Sequence, residues 1–354
     1  MNILPQRPLQ APHLLIIGTG DVAWRALPWL LRRFRVFALC RSAESVLRWR
    51  AAGAVPIQGD LDHPATLRRL AGLAPYVVHA APPAQDRTGD PRTRRLLATL
   101  QQGRMLPRRL VYISTTGVYG DCCGARIPES HPRRPGNARA LRRLAAEQGL
   151  RRQCLGYRPD QRRPLSRGVP GRDRLSSWNA TRDRVAATGH GQARRPGRRG
   201  TSLVILRAPG IYAADRLPLA RLRAGTPALL AAEDGYTSHI HAEDLATSVC
   251  LACFRSGGGR AFHVCDDTEL RMGDWFDLVA DHFHLSRPSR ISRSQAEQTL
   301  PPALLSFMRE SRRLENRRLK TELRMQLRYR TVQDGLAAIE PTVQAGLAAI
   351  NDGR

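Results

Sequence analysis

Leu14 to Ile17 form an apolar run that ends in the glycine-spaced turn Gly18-Thr19-Gly20-Asp21-Val22-Ala23, and a helical pattern from Trp24 to Leu31 follows at once. An apolar run without alternation fits a strand buried on both faces, as in a parallel sheet. Gly18 permits the tight turn. Gly20 leaves the main chain bare where a ligand comes closest, and Ala23 lets helix and strand pack closely. The N–H groups at the helix start then attract an anion such as a diphosphate. The glycine spacing alone also occurs in ordinary strand–helix turns; its place between strand and helix near the N-terminus makes it a dinucleotide-binding signal.

Strand and helix patterns keep alternating. Val36 to Cys40, Ala54 to Gln58, Tyr76 to Ala81 and Leu110 to Ser114 read as strands, while Ser45 to Ala52, Thr66 to Leu73 and Arg94 to Gln102 read as helices. Such alternation predicts an α/β fold with a doubly wound parallel Rossmann sheet. Ligands of these sheets lie beyond the carboxyl ends of the strands, where Gly18, Arg41, Asp60, Ala80 and Thr115 fall. Arg41 stands where NAD-binding chains carry an acid for the ribose 2′-hydroxyl. A guanidinium there favours the 2′-phosphate of NADP over NAD; the alternative is a solvent-facing arginine in an arginine-rich chain.

The net charge of +27 invites a nucleic-acid reading. Two features count against it. Lys320 is the only lysine, a bias that points to GC-rich coding, and residues 151–200 alone contribute 14 Arg against 3 Asp. Aromatic residues do not interleave the basic ones as a single-strand binder requires. No apolar run reaches the roughly 18 residues needed to span a bilayer. The first 13 residues lack an apolar signal core, so a cytoplasmic protein that does not engage membranes is expected. The seven cysteines are an odd count, consistent with free thiols. Cys250 and Cys253 read as small core residues on one helix face, and His239 and His241 as structural hydrogen-bonding groups, so no metal site is expected.

In order along the chain, GTGDVA, GDLD, HAAPP and STTGVYGD are similar to the motifs of the extended and atypical short-chain dehydrogenase/reductases, the NAD(P)-dependent epimerase/dehydratase group. LVILRAPGIYA at 203–213, HIHAEDLA at 239–246, AFHVCDD at 261–267 and SRRLENRRLK at 311–320 continue the resemblance, which covers roughly 14–147 and 203–336. It implies that Gly18, Gly20 and Ala23 hold the pyrophosphate and that Arg41 meets the adenosine ribose. Asp60 and Leu61 would flank the adenine, Ala80 and Ala81 line the cofactor path, and Pro209 and Gly210 contact the nicotinamide end. Thr115 matches the Ser/Thr that hydrogen-bonds the reacting oxygen. The implied substrate is a small molecule with a nucleotide-sugar-like or related hydroxyl or carbonyl group.

One departure from the family concerns the chemistry. With Glu147 as anchor, the family's Tyr-x-x-x-Lys pair falls on Arg139 and Arg143, and arginine cannot serve as a proton donor. Tyr119, four residues after Thr115, is the expected substitute, or else a water handles the proton. Without the pair, a non-catalytic dinucleotide-binding regulator is the competing class. The expected organisation is a Rossmann domain over 12–147 and 202–215, and a smaller substrate lobe with interleaved elements over 216–340. Residues 148–201 form an Arg/Gly/Pro-rich insert with the composition of a disordered segment, or of a GC-rich gene read out of frame. TVQDGLAAI at 331–339 recurs as TVQAGLAAI at 342–350, so 341–354 reads as a repeat tail. Folds of this type often pair through helices, which is compatible with a homodimer.

Overall fold

Leu14 and Ile16 are buried in one apolar cluster, Leu15 and Ile17 in another. A strand whose successive side chains enter two different cores must be covered on both faces. The structure, a computed structural model, describes residues 11–85, 89–156, 200–301, 304–305 and 308–340. Its central sheet comprises β1 (His13–Ile17), β2 (Arg35–Cys40), β3 (Val55–Gln58), β4 (Tyr76–His79), β5 (Arg109–Thr115), β6 (Ser202–Ala208) and β7 (Arg260–His263). The order is β7-β6-β5-β4-β1-β2-β3, and every neighbouring pair is parallel. This is the expected Rossmann sheet. Its order reverses between β1 and β4, which opens the ligand crevice above their carboxyl ends.

Helices α1 (Asp21–Leu31), α2 (Ala43–Ala51) and α5 (Ala242–Ala252) contribute to the first cluster, with Ala26, Leu30, Trp49 and Val249 among its members. Helices α3 (Pro91–Gln101) and α4 (Ala138–Leu155) contribute Leu96, Leu100, Ala146 and Leu150 to the second. The segment expected as a helix over 66–73 is a 3-10 helix, Pro64–Leu70.

The stretch 216–340 is interleaved with the rest. β7 closes one edge of the main sheet and α5 packs against α1. The short helix Leu219–Arg223, helix α6 (Met272–His282) and Val332–Ala337 enclose a smaller core around Tyr212, Trp275, Phe276 and Val279.

The insert begins later than expected. Residues 148–155 complete α4, which buries Leu150 and Cys154 at a spacing of one helical turn and ends where Gly156 takes a left-handed conformation at φ +66°. The remainder of the expected insert, 157–199, lies outside the described residues, as do 86–88 and the repeat tail from 341 onward. Among the described residues, no helix is long and apolar enough to cross a membrane.

Candidate active site

Gly18 has φ +96°, and a Cβ there would lie 2.4 Å from the amide nitrogen of Ala81. The close approach arises because Ile17 O accepts hydrogen bonds from the N–H groups of Ala80 and Ala81, at 2.7 and 3.0 Å. Only glycine satisfies both the backbone region and the contact. Gly20 is different. It is exposed, its φ of −82° suits any residue, and nothing lies within 4 Å of a Cβ placed there. It is the N-cap of α1, yet no side chain caps the helix, so the first-turn N–H groups remain open to a ligand. Ala23 is buried against the sheet, and Val22 packs at the edge of the same core. The loop therefore has the bare main chain and uncapped helix start that a diphosphate needs. Thr19 Oγ1 lies 3.3 Å from Ser45 Oγ, joining the loop to α2.

Asp21 places a carboxylate in this anion-attracting turn, and two guanidiniums neutralise it. Arg25 Nε donates to Asp21 Oδ1 at 2.8 Å, and Arg216 Nη1 donates to Asp21 Oδ2 at 3.0 Å. Arg25 also binds Glu243 at the start of α5 and Asp215, at 2.8 and 2.9 Å. The network clasps α1, α5 and the segment after β6 together.

Other residues expected at the cofactor stand at strand ends. Arg41 follows β2 and is exposed. Asp60 follows β3, and its Oδ1 accepts the Asp62 N–H at 2.9 Å. The Leu61 side chain is buried in the second cluster, while its carbonyl accepts from Arg95 at 3.1 Å. Ala80 and Ala81 follow β4.

Beyond the ends of β5 and β6 lies a cavity of about 410 Å³. Thr115, Pro209 and Gly210 line it, together with Arg139, Tyr236 and His239. None of residues 18–23 does. Arg216 links the two regions, because it both lines the cavity and holds Asp21. Thr115 Oγ1 accepts the Gly117 N–H at 3.2 Å, which orients the hydroxyl and leaves its proton to donate.

Tyr119 does not line the cavity. It is 1% exposed, and its hydroxyl is held by Arg207 Nη1, by His263 Nε2 at 2.5 Å and by the Glu129 carbonyl at 3.3 Å. Burial pushes the phenol up to about 12, against the pull of Arg207. This is the wrong place and the wrong acidity for a proton-exchanging group near neutral pH. Arg207 in turn pairs with buried Glu147, whose Oε1 also accepts from Ser114 at 2.7 Å.

Arg143 is tied down as well: Nη1 donates to Ile113 O at 2.9 Å and to the Tyr112 hydroxyl at 3.1 Å. Arg139, one turn earlier on α4, makes no hydrogen bond or ion pair to the described residues. Burial and the neighbouring Arg143 and Arg142 charges lower its pKa.

Two cavity residues were not singled out for chemistry by sequence reasoning. The Tyr236 hydroxyl makes no hydrogen bond to the described residues, and guanidiniums of Arg313 and Arg271 lie 4.8 and 5.4 Å from the ring centre. A lone tyrosine outside any recognised motif carries no signal for this role. His239, expected to be hydrogen-bonded, has Nδ1 buried with no hydrogen-bond partner among the described residues, and it packs on Trp275 at 4.5 Å between ring centres. His241 does meet its expectation, since Nδ1 accepts the Glu243 N–H at 3.2 Å. Cys250 and Cys253 are buried core residues, and no metal-binding cluster occurs among the described residues.

No protein-family model and no curated protein matches the chain. Solved structures do. A conserved protein of unknown function from Silicibacter pomeroyi superposes with a TM-score of 0.66 at 24% identity, over 93% of this chain and 98% of its own. The Thermotoga maritima UDP-glucose 4-epimerase, solved with UDP-glucose, gives 0.64 at 14% identity, over 96% and 99%. The fold is that of the sugar-nucleotide epimerases. A third example with the epimerase fold, the Bacillus cereus UDP-glucuronic acid 4-epimerase in complex with NAD, gives 0.62 at 13% identity, over 92% and 97%. The epimerase fold agrees with the resemblance read from GTGDVA through SRRLENRRLK.

Proposed function

We propose that this protein is an NADP-dependent oxidoreductase or epimerase that acts on a hydroxyl or carbonyl carbon of a small, nucleotide-sugar-like molecule. The observation that carries the reading is the Gly18–Ala23 turn, with its uncapped helix start at the crevice of a parallel sheet. In this reading Gly18, Thr19, Gly20, Asp21, Val22 and Ala23 form the diphosphate cradle. Asp60 and Leu61 flank the adenine, Ala80 and Ala81 line the path, and Pro209 and Gly210 close the nicotinamide end. Arg41, exposed after β2, meets the 2′-phosphate. A bound nicotinamide supplies hydride acceptance or donation at the substrate carbon.

The chain's own residues do the rest. Thr115 donates its hydroxyl proton to the reacting oxygen, while the Gly117 N–H holds Oγ1 in place. With Tyr119 engaged in the interior, the proton partner is the cavity phenol without a hydrogen bond, Tyr236. Tyr212 also lines the cavity, but its hydroxyl donates to Thr331 O at 3.3 Å. The guanidiniums of Arg313 and Arg271 stand beside its ring. The missing tyrosine–lysine pair is thus replaced by a phenol from another part of the chain.

A direct test is NADPH binding followed by turnover screening. Enhanced NADPH fluorescence together with activity lost in Thr115→Ala supports the enzyme. NADPH binding with no turnover on any hydroxyl or carbonyl substrate favours the non-catalytic regulator, and no binding at millimolar NADPH or NADH removes both.

A further inference from the structure

Four charged side chains line the cavity: Arg139, Arg216, Arg312 and Glu310. Three are satisfied. Arg216 pairs with Asp21 at 3.0 Å, and Arg312 pairs with Glu310 at 2.7 Å. Glu310 also accepts from Asn137 at 3.0 Å. Arg139 has no hydrogen bond or ion pair among the described residues.

Its side chain is exposed to solvent on the cavity wall, at a helix start that does not favour a cation. Arg139 sits in the first turn of α4, which contains no acidic residue, and cations are disfavoured at helix N-termini. Arg142 and Arg143 add repulsion. Among the described residues no acidic side chain pairs with this exposed guanidinium, which leaves its donors free for an anion. On the same cavity wall His239 is 5% exposed, and its Nδ1 has no hydrogen-bond partner among the described residues.

We propose that the cavity seats an anionic group of the substrate, a carboxylate or a phosphate, on Arg139, beside the oxygen held by Thr115. This rests on the reading of the cavity as the substrate site. A guanidinium binds either group through paired N–H donors, so Arg139 supplies recognition where the related folds are expected to carry a catalytic tyrosine. The substrate is accordingly an acid or a phosphate ester with a hydroxyl or carbonyl close to the charge.

The test is calorimetric titration of the full chain with inorganic phosphate and, separately, with glycolate, which distinguishes the two anion sources. One of them is expected to bind saturably. Arg139→Gln should weaken that binding at least about tenfold, and Arg139→Lys, which keeps the charge but loses the paired donors, should fall between Arg139→Gln and the parent. NADPH affinity should stay unchanged in both variants. Should Arg139→Gln fold poorly, phenylglyoxal labelling of the unmodified protein gives the same information, since the bound anion must protect Arg139. Absence of binding by both anions, equal binding by Arg139→Gln, or labelling of Arg139 that neither anion slows overturns the proposal. Loss of NADPH binding with the anion site intact would instead remove the cofactor reading and leave this one standing.

Discussion

Arg207 Nη2 donates to Glu147 Oε2 at 2.7 Å, with the two side chains 2% and 0% exposed. The pair connects α4 to β6 across the second helix layer, and Ser114, Arg133 and Tyr119 complete its hydrogen bonds. Burial alone would raise the Glu147 pKa, but Arg207, Ser114 and Arg133 outweigh it and hold the carboxyl below its usual range. Glu147→Gln leaves Arg207 buried without its counter-charge. We expect a loss of about 3–5 kcal/mol, measured by urea unfolding. A loss below about 1 kcal/mol would show that the pair is not a structural anchor.

Gly18 and Gly20 differ in what they tolerate. Gly18→Ala places a Cβ against the Ala81 backbone at a positive φ and should lower the melting temperature by several degrees, as about 1–3 kcal/mol of strain requires. Gly20→Ala meets open space and should fold as the parent does. It should nonetheless weaken NADPH binding about tenfold or more, because the methyl group fills the ligand's approach. Equal NADPH affinity in parent and Gly20→Ala would contradict the diphosphate cradle.

The two phenols should respond in opposite ways. Tyr236→Phe should fold normally and reduce turnover about 10²-fold or more. Tyr119→Phe removes a buried hydroxyl from Arg207 and His263, so unfolding should show a loss of about 1–3 kcal/mol. If Tyr119→Phe folds as the parent does and alone abolishes turnover, the assignment is reversed.

The proposed contact of Arg41 with the 2′-phosphate can be read from cofactor preference. Arg41→Ala should weaken NADPH about tenfold and leave NADH nearly unchanged, as read by competitive fluorescence titration. An equal effect on both would return Arg41 to the role of a solvent-facing side chain.

Stability should fall on acidification. Burial lowers the histidine pKa values, to about 4 for His79 and His241 and about 3 for His239 and His263. Each is neutral when folded and charges on unfolding below its ordinary value near 6.5. The unfolded chain therefore binds more protons, and stability drops as pH falls from about 6.5 towards 4. Asp266 acts in the opposite sense. Burial pushes it up to about 8, so its contribution is present at low pH and is lost as pH rises through 8. Burial also raises Glu129, Asp234, Asp244 and Asp277 by smaller shifts in the same sense as Asp266, and the four histidines outweigh these carboxyls between pH 6.5 and 5. A melting temperature that rises between pH 6.5 and 5 would contradict it.

Much of the architecture was legible because it depends on local order. The unbroken apolar run at Leu14–Ile17, the glycines behind it and the regular strand–helix alternation specify a parallel sheet whatever the details of packing. Gly18, Arg41, Asp60, Ala80 and Thr115 could be placed at strand ends for the same reason. The partners of individual side chains could not, because they come from distant parts of the chain. Sequence adjacency made Tyr119 look like a substitute base; His263 and Arg207, 144 and 88 residues away, bury its hydroxyl. Tyr236 reaches the cavity on a two-residue strand, Tyr236–Thr237, too short to carry a periodic signal. Likewise, sequence alone identified Arg139 as a departure from the family pattern, but only the folded chain shows that every other charge in its cavity is paired, since pairing depends on which elements meet in space.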